Sequence, residues 1–230
     1  MNKKISVVIA AYNEEPKIAE VLKIVEHHPI INEVIVINDG SKDNTSEVVK
    51  KFDVTLIENE KNLGKTLSVK KGIEMAKGDL IMLIDADLKG LTSDAITMLA
   101  KPVLDGKVDW TLSLRDNSVG FMKLVKMDWI SGERVVPKDL LLDKAIWSRP
   151  DISYGLETLM NKSLLAKNKT FCSVYLPELT ITSKSEKIGV IKGTMGEIKM
   201  FGQIIRVLPL FKVFSQFFKM AHLNHKYSKP

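Results

Sequence analysis

The feature that most constrains this chain is an alternation in its first 85 residues. Four short runs, Ile5–Ala10, Val34–Ile37, Val54–Ile57 and Leu80–Ile84, are apolar at nearly every position. Strands of that kind are buried on both faces. Helical spacing separates them. Pro16 suits a helix's first turn and precedes Ile18, Val21, Leu22 and Val25. Asp43-Asn44-Thr45-Ser46 offers N-caps for a helix through Val48, Val49 and Phe52. Leu67–Ala76 is helical in period and reaches a C-cap candidate at Gly78. Strands alternating with helices imply a parallel sheet with right-handed crossovers. Residues 1–110 are therefore expected to form an open α/β sheet with helices on both faces. Cys172 is the single cysteine, so a disulfide framework is excluded, and its apolar surroundings read as core.

Open α/β sheets bind ligands beyond the carboxyl ends of their strands. The polar clusters fall there: Tyr12-Asn13-Glu14 after the first strand, Asp39-Gly40-Ser41 after the second, Asp85-Ala86-Asp87 after the fourth. Burying a carboxylate without a partner is costly, so Asp85 and Asp87 are expected at a cleft. Side chains alternate along a strand, and the two acids are expected to have different jobs unless the backbone turns there. Carboxylate oxygens suit Mg²⁺ or Mn²⁺, ions that share their shell with phosphate oxygens. Asp39 could accept a hydrogen bond from a base or ribose. Asn62-Leu63-Gly64-Lys65 places a glycine and a cation at a helix start, a suitable phosphate neighbour. A Walker loop is missing, and no G-x-G-x-x-G follows the first strand, which argues against P-loop and dehydrogenase chemistry.

Four blocks together, VVIAAYNEE (7–15), VINDGSKDNT (36–45), NLGK (62–65) and GDLIMLIDADL (78–88), resemble the family 2 glycosyltransferases of the GT-A fold in order and approximate spacing. The resemblance implies a nucleotide-sugar donor, a UDP- or GDP-sugar. It would put Tyr12, Asn13, Glu14 and Asp39 at the base and ribose, and Lys65 near the nucleotide. Asp85, with Ala86 beside it, would approach the ribose or sugar, and Asp87 would bind the metal, with Asp85 as a second candidate ligand.

Residues 111–197 are less regular. Lys138–Asp143 and Leu156–Lys167 read as helices, Phe171–Leu176 and Leu179–Thr182 as strands, all in the same domain. SGERVVPK (131–138) and YGLE (154–157) are similar to acceptor-side motifs of the prokaryotic branch with glucosyl-3-phosphoglycerate synthase-like and dolichyl-phosphate-mannose synthase-like enzymes. Tyr154, Gly155 and Arg134 would then meet the acceptor, Arg134 from a loop between helices and with a guanidinium suited to phosphate or carboxylate. Glu157, early in an amphipathic helix, would be the general base if the reaction inverts the anomeric centre, or would orient a sugar hydroxyl if it retains it. Two departures stand out. Ala10 occupies a position where the family often has proline. Leu179–Ile188 contains no histidine, where several relatives supply a further metal ligand. His222 and His225 are substitutes only if the tail folds back.

The formal net charge is +6, from 34 Lys+Arg against 28 Asp+Glu. Six of the bases lie beyond Glu197, where no acid follows, so residues 1–197 carry 28 of each. A neutral body with a basic tail disfavours nucleic acid as partner. Residues 203–220 are aromatic as well as basic. On a helical wheel Lys212, Ser215, Gln216 and Lys219 gather on one side with aromatics opposite, and Pro209 is expected to split the segment. Two readings of residues 198–230 stand: a helix that meets a membrane surface, or one packed on the sheet with its bases in water. The N-terminal apolar run is too short for a signal-peptide core, and no segment reaches the roughly 20 apolar residues of a membrane span, so a cytoplasmic location is expected, peripheral on the membrane in the first reading. Two further classes compete with the glycosyltransferase reading: a nucleotidyltransferase, which needs a phosphate loop that Ala10–Glu15 does not provide, and a nucleotide-sugar-binding scaffold without catalysis.

Overall fold

The computed structural model describes residues 3–118, 120–149, 155–181 and 210–227. A seven-stranded sheet is built from β1 (Ile5–Ala11), β2 (Glu33–Asn38), β3 (Thr55–Glu58), β4 (Leu80–Leu83), β6 (Trp110–Arg115), β7 (Arg134–Pro137) and β8 (Phe171–Leu176), in the order β3-β2-β1-β4-β7-β6-β8. All neighbours pair in parallel except across β7, which runs antiparallel to both β4 and β6. The carboxyl ends of β1, β2, β4 and β6 therefore share one edge. A two-stranded ladder, β5 (Leu88–Lys89) with β9 (Thr180–Ile181), holds down the turn that follows β4.

Two apolar layers enclose the sheet, and successive strand residues divide between them. Ile5, Val7 and Ile9 of β1 join the layer of α1 (Glu15–Val25) and α4 (Ser93–Leu104). Val8 faces the layer of α3 (Lys65–Met75) and α7 (Leu156–Ala166). β2 divides likewise, Val34 and Val36 against Ile35 and Ile37. This is the two-residue period of a strand with both faces covered, and it explains why the runs are apolar throughout. Short helices α2 (Thr45–Val49), α5 (Gly120–Leu124) and α6 (Lys138–Leu141) fill connections. The C-terminal helix α8 (Leu210–Tyr227) packs on β8 and α7.

Several expectations are corrected. α2 stops at Val49, short of Phe52. Gly78 is not a helix cap: α3 ends at Met75, and a Cβ at Gly78 would come within 2.6 Å of Ser6 Oγ and 2.7 Å of Ser6 N. Arg134 lies in a central strand, not in a loop. Gln216 and Phe217 turn inward from α8, while Phe211, Phe214 and Phe218 face out, so the aromatics occupy both sides of the helix. Residues 203–209 of the tail, Pro209 among them, lie outside the described residues, as do 182–188 of the segment without histidine.

Cys172 on β8 is buried, and that burial pushes its thiol up to about 11. A thiol with so high a pKa stays protonated at neutral pH, and the thiolate is the reactive form. We expect Cys172 to resist a thiol reagent in the native protein and to react fully in denaturant. Rapid native labelling would contradict the packing of β8.

Candidate functional site

The edge is organised first by the chain's own amides. Asn13 has a left-handed φ of 56°, its N–H donates to Ser41 Oγ (2.9 Å), and its Oδ1 accepts from the Lys42 amide (2.8 Å). The Glu14 amide donates to Thr45 Oγ1 (2.9 Å). The two loops after β1 and β2 are thus laced together. Asp39 is buried, and its carboxylate takes the Leu63 amide (2.9 Å), the Gly64 amide (2.8 Å) and Asn59 Nδ2 (3.0 Å). Those bonds fold Asn62-Leu63-Gly64 into the start of α3. In this structure Asp39 shapes the loop that a base or phosphate would meet. Tyr12 stands exposed beside it. A groove of about 690 Å³ opens between Tyr12, Gly40, Ser41, Asn59 and Lys61, within the range of small-molecule sites.

Lys65, the first residue of α3, reaches back along the edge. Its Nζ lies 2.7 Å from Asp85 Oδ1 and 3.2 Å from Glu157 Oε1. Burial alone would favour the neutral amine, but Asp85 and then Glu157 outweigh it, and the ammonium is held above its ordinary pKa. Asp85 is correspondingly lowered, since Lys65 overrides the rise that burial alone would give. Glu157 occupies the first turn of α7, whose N-cap Gly155 has φ 115°, a conformation that side chains resist. Gly132 presses against the other side of Asp85: a Cβ there would stand 2.7 and 2.8 Å from its carboxylate oxygens. The cleft over this cluster holds about 10 Å³, roughly one water.

The chain turns at Ala86-Asp87, immediately after Asp85 and before β5. The pair splits because of this turn and not by strand alternation, since residues two apart on a strand share a face: Asp85 points to Lys65, and Asp87 sits nearly buried in the turn itself. Among the described residues no three His, Cys, Asp or Glu side chains converge as a metal cage. A nearly buried hard carboxylate suits Mg²⁺ or Mn²⁺ where phosphate oxygens complete the shell.

Behind Asp85 lies a cluster that the sequence patterns did not single out. Arg115, at the end of β6, contacts Asp128 Oδ2 (3.1 Å) and Glu133 Oε1 (3.5 Å). Glu133 is fully buried and accepts from Ser113 and Ser131 hydroxyls, both at 2.7 Å. Burial raises its pKa; Arg115 opposes the rise and Asp85 adds to it. The signal for Arg115 was of the kind that marked Asp85: an apolar strand ending in a polar cluster, Arg115-Asp116-Asn117. Arg134 is fully buried on the other face of the sheet. It donates to Asn161 Oδ1 (3.0 Å) and to the Ser131 carbonyl, and lies 5.9 Å from the Trp110 ring. Burial lowers its pKa. Its expected place on the acceptor side is therefore corrected: no surface of Arg134 is open to a ligand. Tyr154 lies outside the described residues.

Residues 6–155 match the family model of glycosyl transferase family 2. An uncharacterised protein of Methanocaldococcus jannaschii is 38% identical over 118 residues, 47% of this chain and 50% of that protein. A dolichyl-phosphate beta-glucosyltransferase of Trichomonas vaginalis is 30% identical over 158 residues, 54% of this chain and 47% of that protein. The chain spans about half the length of these two curated relatives. Among solved structures, glucosyl-3-phosphoglycerate synthase from Mycobacterium tuberculosis, in complex with Mn²⁺, UDP-glucose and phosphoglyceric acid, superposes with a TM-score of 0.69 at 18% identity, over 89% of this chain and 79% of that one. The fold is the GT-A type of α/β architecture. The chain belongs to glycosyl transferase family 2.

The buried ion cluster makes a stability prediction. Arg115→Leu leaves Asp128 and Glu133 buried without their cation, and breaking such a cluster costs about 3–5 kcal/mol. Urea unfolding of the two proteins would measure it. A loss below about 1 kcal/mol would mean that the serine hydroxyls alone satisfy the carboxylates.

Proposed function

We propose that this protein is a glycosyltransferase that moves a sugar from a UDP- or GDP-sugar to an acceptor hydroxyl or phosphate on a lipid-linked or phosphorylated acceptor. One observation carries the reading. Lys65, Asp85 and Glu157 come from three separated segments to one point on the carboxyl edge, next to a groove of nucleoside size. The relatives' named donors and acceptors, UDP-glucose, phosphoglyceric acid and dolichyl phosphate, support it.

The groove beside Tyr12 takes the nucleoside, and the loop that Asp39 folds presents its backbone to the phosphates. Asp87, with Asp85 as second candidate, would hold Mg²⁺ or Mn²⁺. Such an ion neutralises charge on a leaving pyrophosphate. Lys65 lies between the nucleotide side and Glu157. As the pyrophosphate gains charge, Lys65 is drawn toward it, and its hold on Glu157 weakens. Glu157 is then free to accept the acceptor proton in an inverting reaction. Asp85 tethers Lys65 at the edge and limits that shift. Gly155 leaves room for the acceptor to approach Glu157. The reading extends to a cytoplasmic protein that meets a membrane surface through residues 203–220, of which 210–220 are described. No described helix is long and apolar enough to cross a membrane.

Three substitutions test it in an assay of nucleoside diphosphate release from a panel of nucleotide sugars with Mg²⁺ or Mn²⁺. Glu157→Gln is expected to lower kcat by about 100-fold or more while leaving the donor KM nearly unchanged. Asp87→Ala is expected to abolish the metal requirement together with turnover; release that ignores this change would remove the metal role. Absence of turnover with every donor and acceptor would favour the scaffold reading. Gly132→Ala forces the Asp85 carboxylate aside, and kcat should fall by up to about 100-fold with little change in melting temperature. Unchanged kcat would show that Asp85 has room to spare.

A further inference from the structure

The helix α8 presents two faces with opposite chemistry. Its inner face is fixed to the body by polar side chains. Gln216 Nε2 donates to the Thr158 carbonyl (3.1 Å), Asn224 Oδ1 accepts from the Ser173 amide (2.7 Å), and Asn224 Nδ2 donates to the Lys126 carbonyl (2.8 Å). Val213, Phe217 and Met220 pack between these anchors. The outer face carries Phe211, Phe214 and Phe218, exposed by 69%, 59% and 67%. Three aromatics at i, i+3 and i+7 form one continuous stripe along a helix. On a soluble surface, contiguous apolar area of this kind marks an interaction site.

The charge beside the stripe identifies the partner. Lys212, Lys219 and Lys226 recur every seven residues and so form one column along the flank of the phenylalanines. α8 contains no Asp or Glu at all. Pairing with a second copy through this helix would set lysine columns close together with no acid on α8 to compensate them. A helix with aromatics on its outer face, lysines beside them and no acid of its own fits an anionic lipid surface, the rings entering the acyl boundary and exposed ammonium groups meeting the headgroups.

We propose that α8 lies in the plane of an anionic membrane and seats this protein there through Phe211, Phe214 and Phe218, with Lys212 on the headgroups. The inference deepens the proposed function, since it makes a lipid-borne acceptor the natural substrate. Its geometry supports that link: Gln216 is bonded to the carbonyl of Thr158, the residue after Glu157. The docking helix and the candidate base are therefore neighbours through a single hydrogen bond.

The test is co-sedimentation of the full chain with phosphatidylcholine vesicles and with vesicles mixed with phosphatidylglycerol. It needs no turnover, so its failure is separable from failure of the transferase reading. Binding is expected with the anionic vesicles only, weakening with salt. The Phe211→Ser/Phe214→Ser/Phe218→Ser protein should lose it by at least about ten-fold. Lys212→Glu should weaken it by about five-fold or more with the aromatics intact. Both variants are checked for native circular dichroism, and Phe214→Ser alone replaces the triple variant if that one misfolds. Equal binding to neutral vesicles would overturn the role of the lysines. No pelleting with either vesicle would overturn the proposal outright. Self-association that disappears with the phenylalanines, without vesicle binding, would assign the face to a second copy instead.

Discussion

The site depends on one cation. Asp85 follows β4, Glu157 lies in the first turn of α7, and both carboxylates aim at the same small volume; without Lys65 between them they would repel each other. At the effective dielectric of a protein edge, two unit charges about 4 Å apart interact by roughly 4 kcal/mol. That figure is the gross attraction, and desolvation of the three groups consumes much of it. The net effect is placement more than stability. Lys65 fixes where β4, α3 and α7 meet, and these elements come from residues 65, 85 and 157 with little else in common. Gly132 completes the arrangement by leaving space behind Asp85 that any side chain would fill.

The two halves of the site are held in different ways. On the side of β1 and β2, carboxylates and hydroxyls accept backbone amides: Asp39 from Leu63 and Gly64, Thr45 from Glu14, Ser41 from Asn13. Such bonds set loop shape and leave outward-facing groups for a ligand. On the side of β6 and β7, the supporting groups are ions inside the sheet. Arg115 pairs with Asp128 and Glu133, and serine hydroxyls donate to both carboxylates beneath Asp85, while Arg115 Nε, Asp128 Oδ1 and Glu133 Oε1 are left without a hydrogen bond among the described residues. Low dielectric makes each of these contacts strong and each omission costly.

This difference explains what was legible in the sequence. β1, β2 and β4 announced themselves because burial on both faces writes a continuous apolar run. The clusters at their ends, Asp39 and Asp85 included, followed from topology alone. β7 did not announce itself: Arg134-Val135-Val136-Pro137 is short, opens with a charge and closes with proline, and it becomes a strand only because β4 and β6 flank it. Arg134 was misplaced for that reason, its guanidinium being paired with Ser131 and Asn161 and stacked toward Trp110 inside the core. β6 alternates Trp110, Leu112 and Leu114 with Thr111 and Ser113, yet all five are buried. This alternation does not write the continuous apolar run that marks β1, β2 and β4, so the strand was not read from the sequence and Arg115 at its end was not singled out. Long-range pairing, unlike burial period, leaves no local trace.

The C-terminal helix shows how the two kinds of constraint combine. Apolar contacts alone would let α8 slide along the body, because Val213, Phe217 and Met220 meet a surface of similar side chains. Hydrogen bonds are directional and pin its register. Gln216 accepts no substitute position on α7, since it reads the carbonyl of Thr158, and Asn224 bridges the β8 amide of Ser173 to the carbonyl of Lys126. Lys219 adds a contact to the Leu165 carbonyl (3.3 Å) near the other end of α7. With register fixed at these points, the outward phenylalanines hold a set orientation relative to the first turn of α7, where Glu157 sits. Three of the six bases behind the net charge, Lys212, Lys219 and Lys226, thus have a structural location: they lie on a helix that polar anchors hold against α7 and β8, with Phe211, Phe214 and Phe218 turned to the outside.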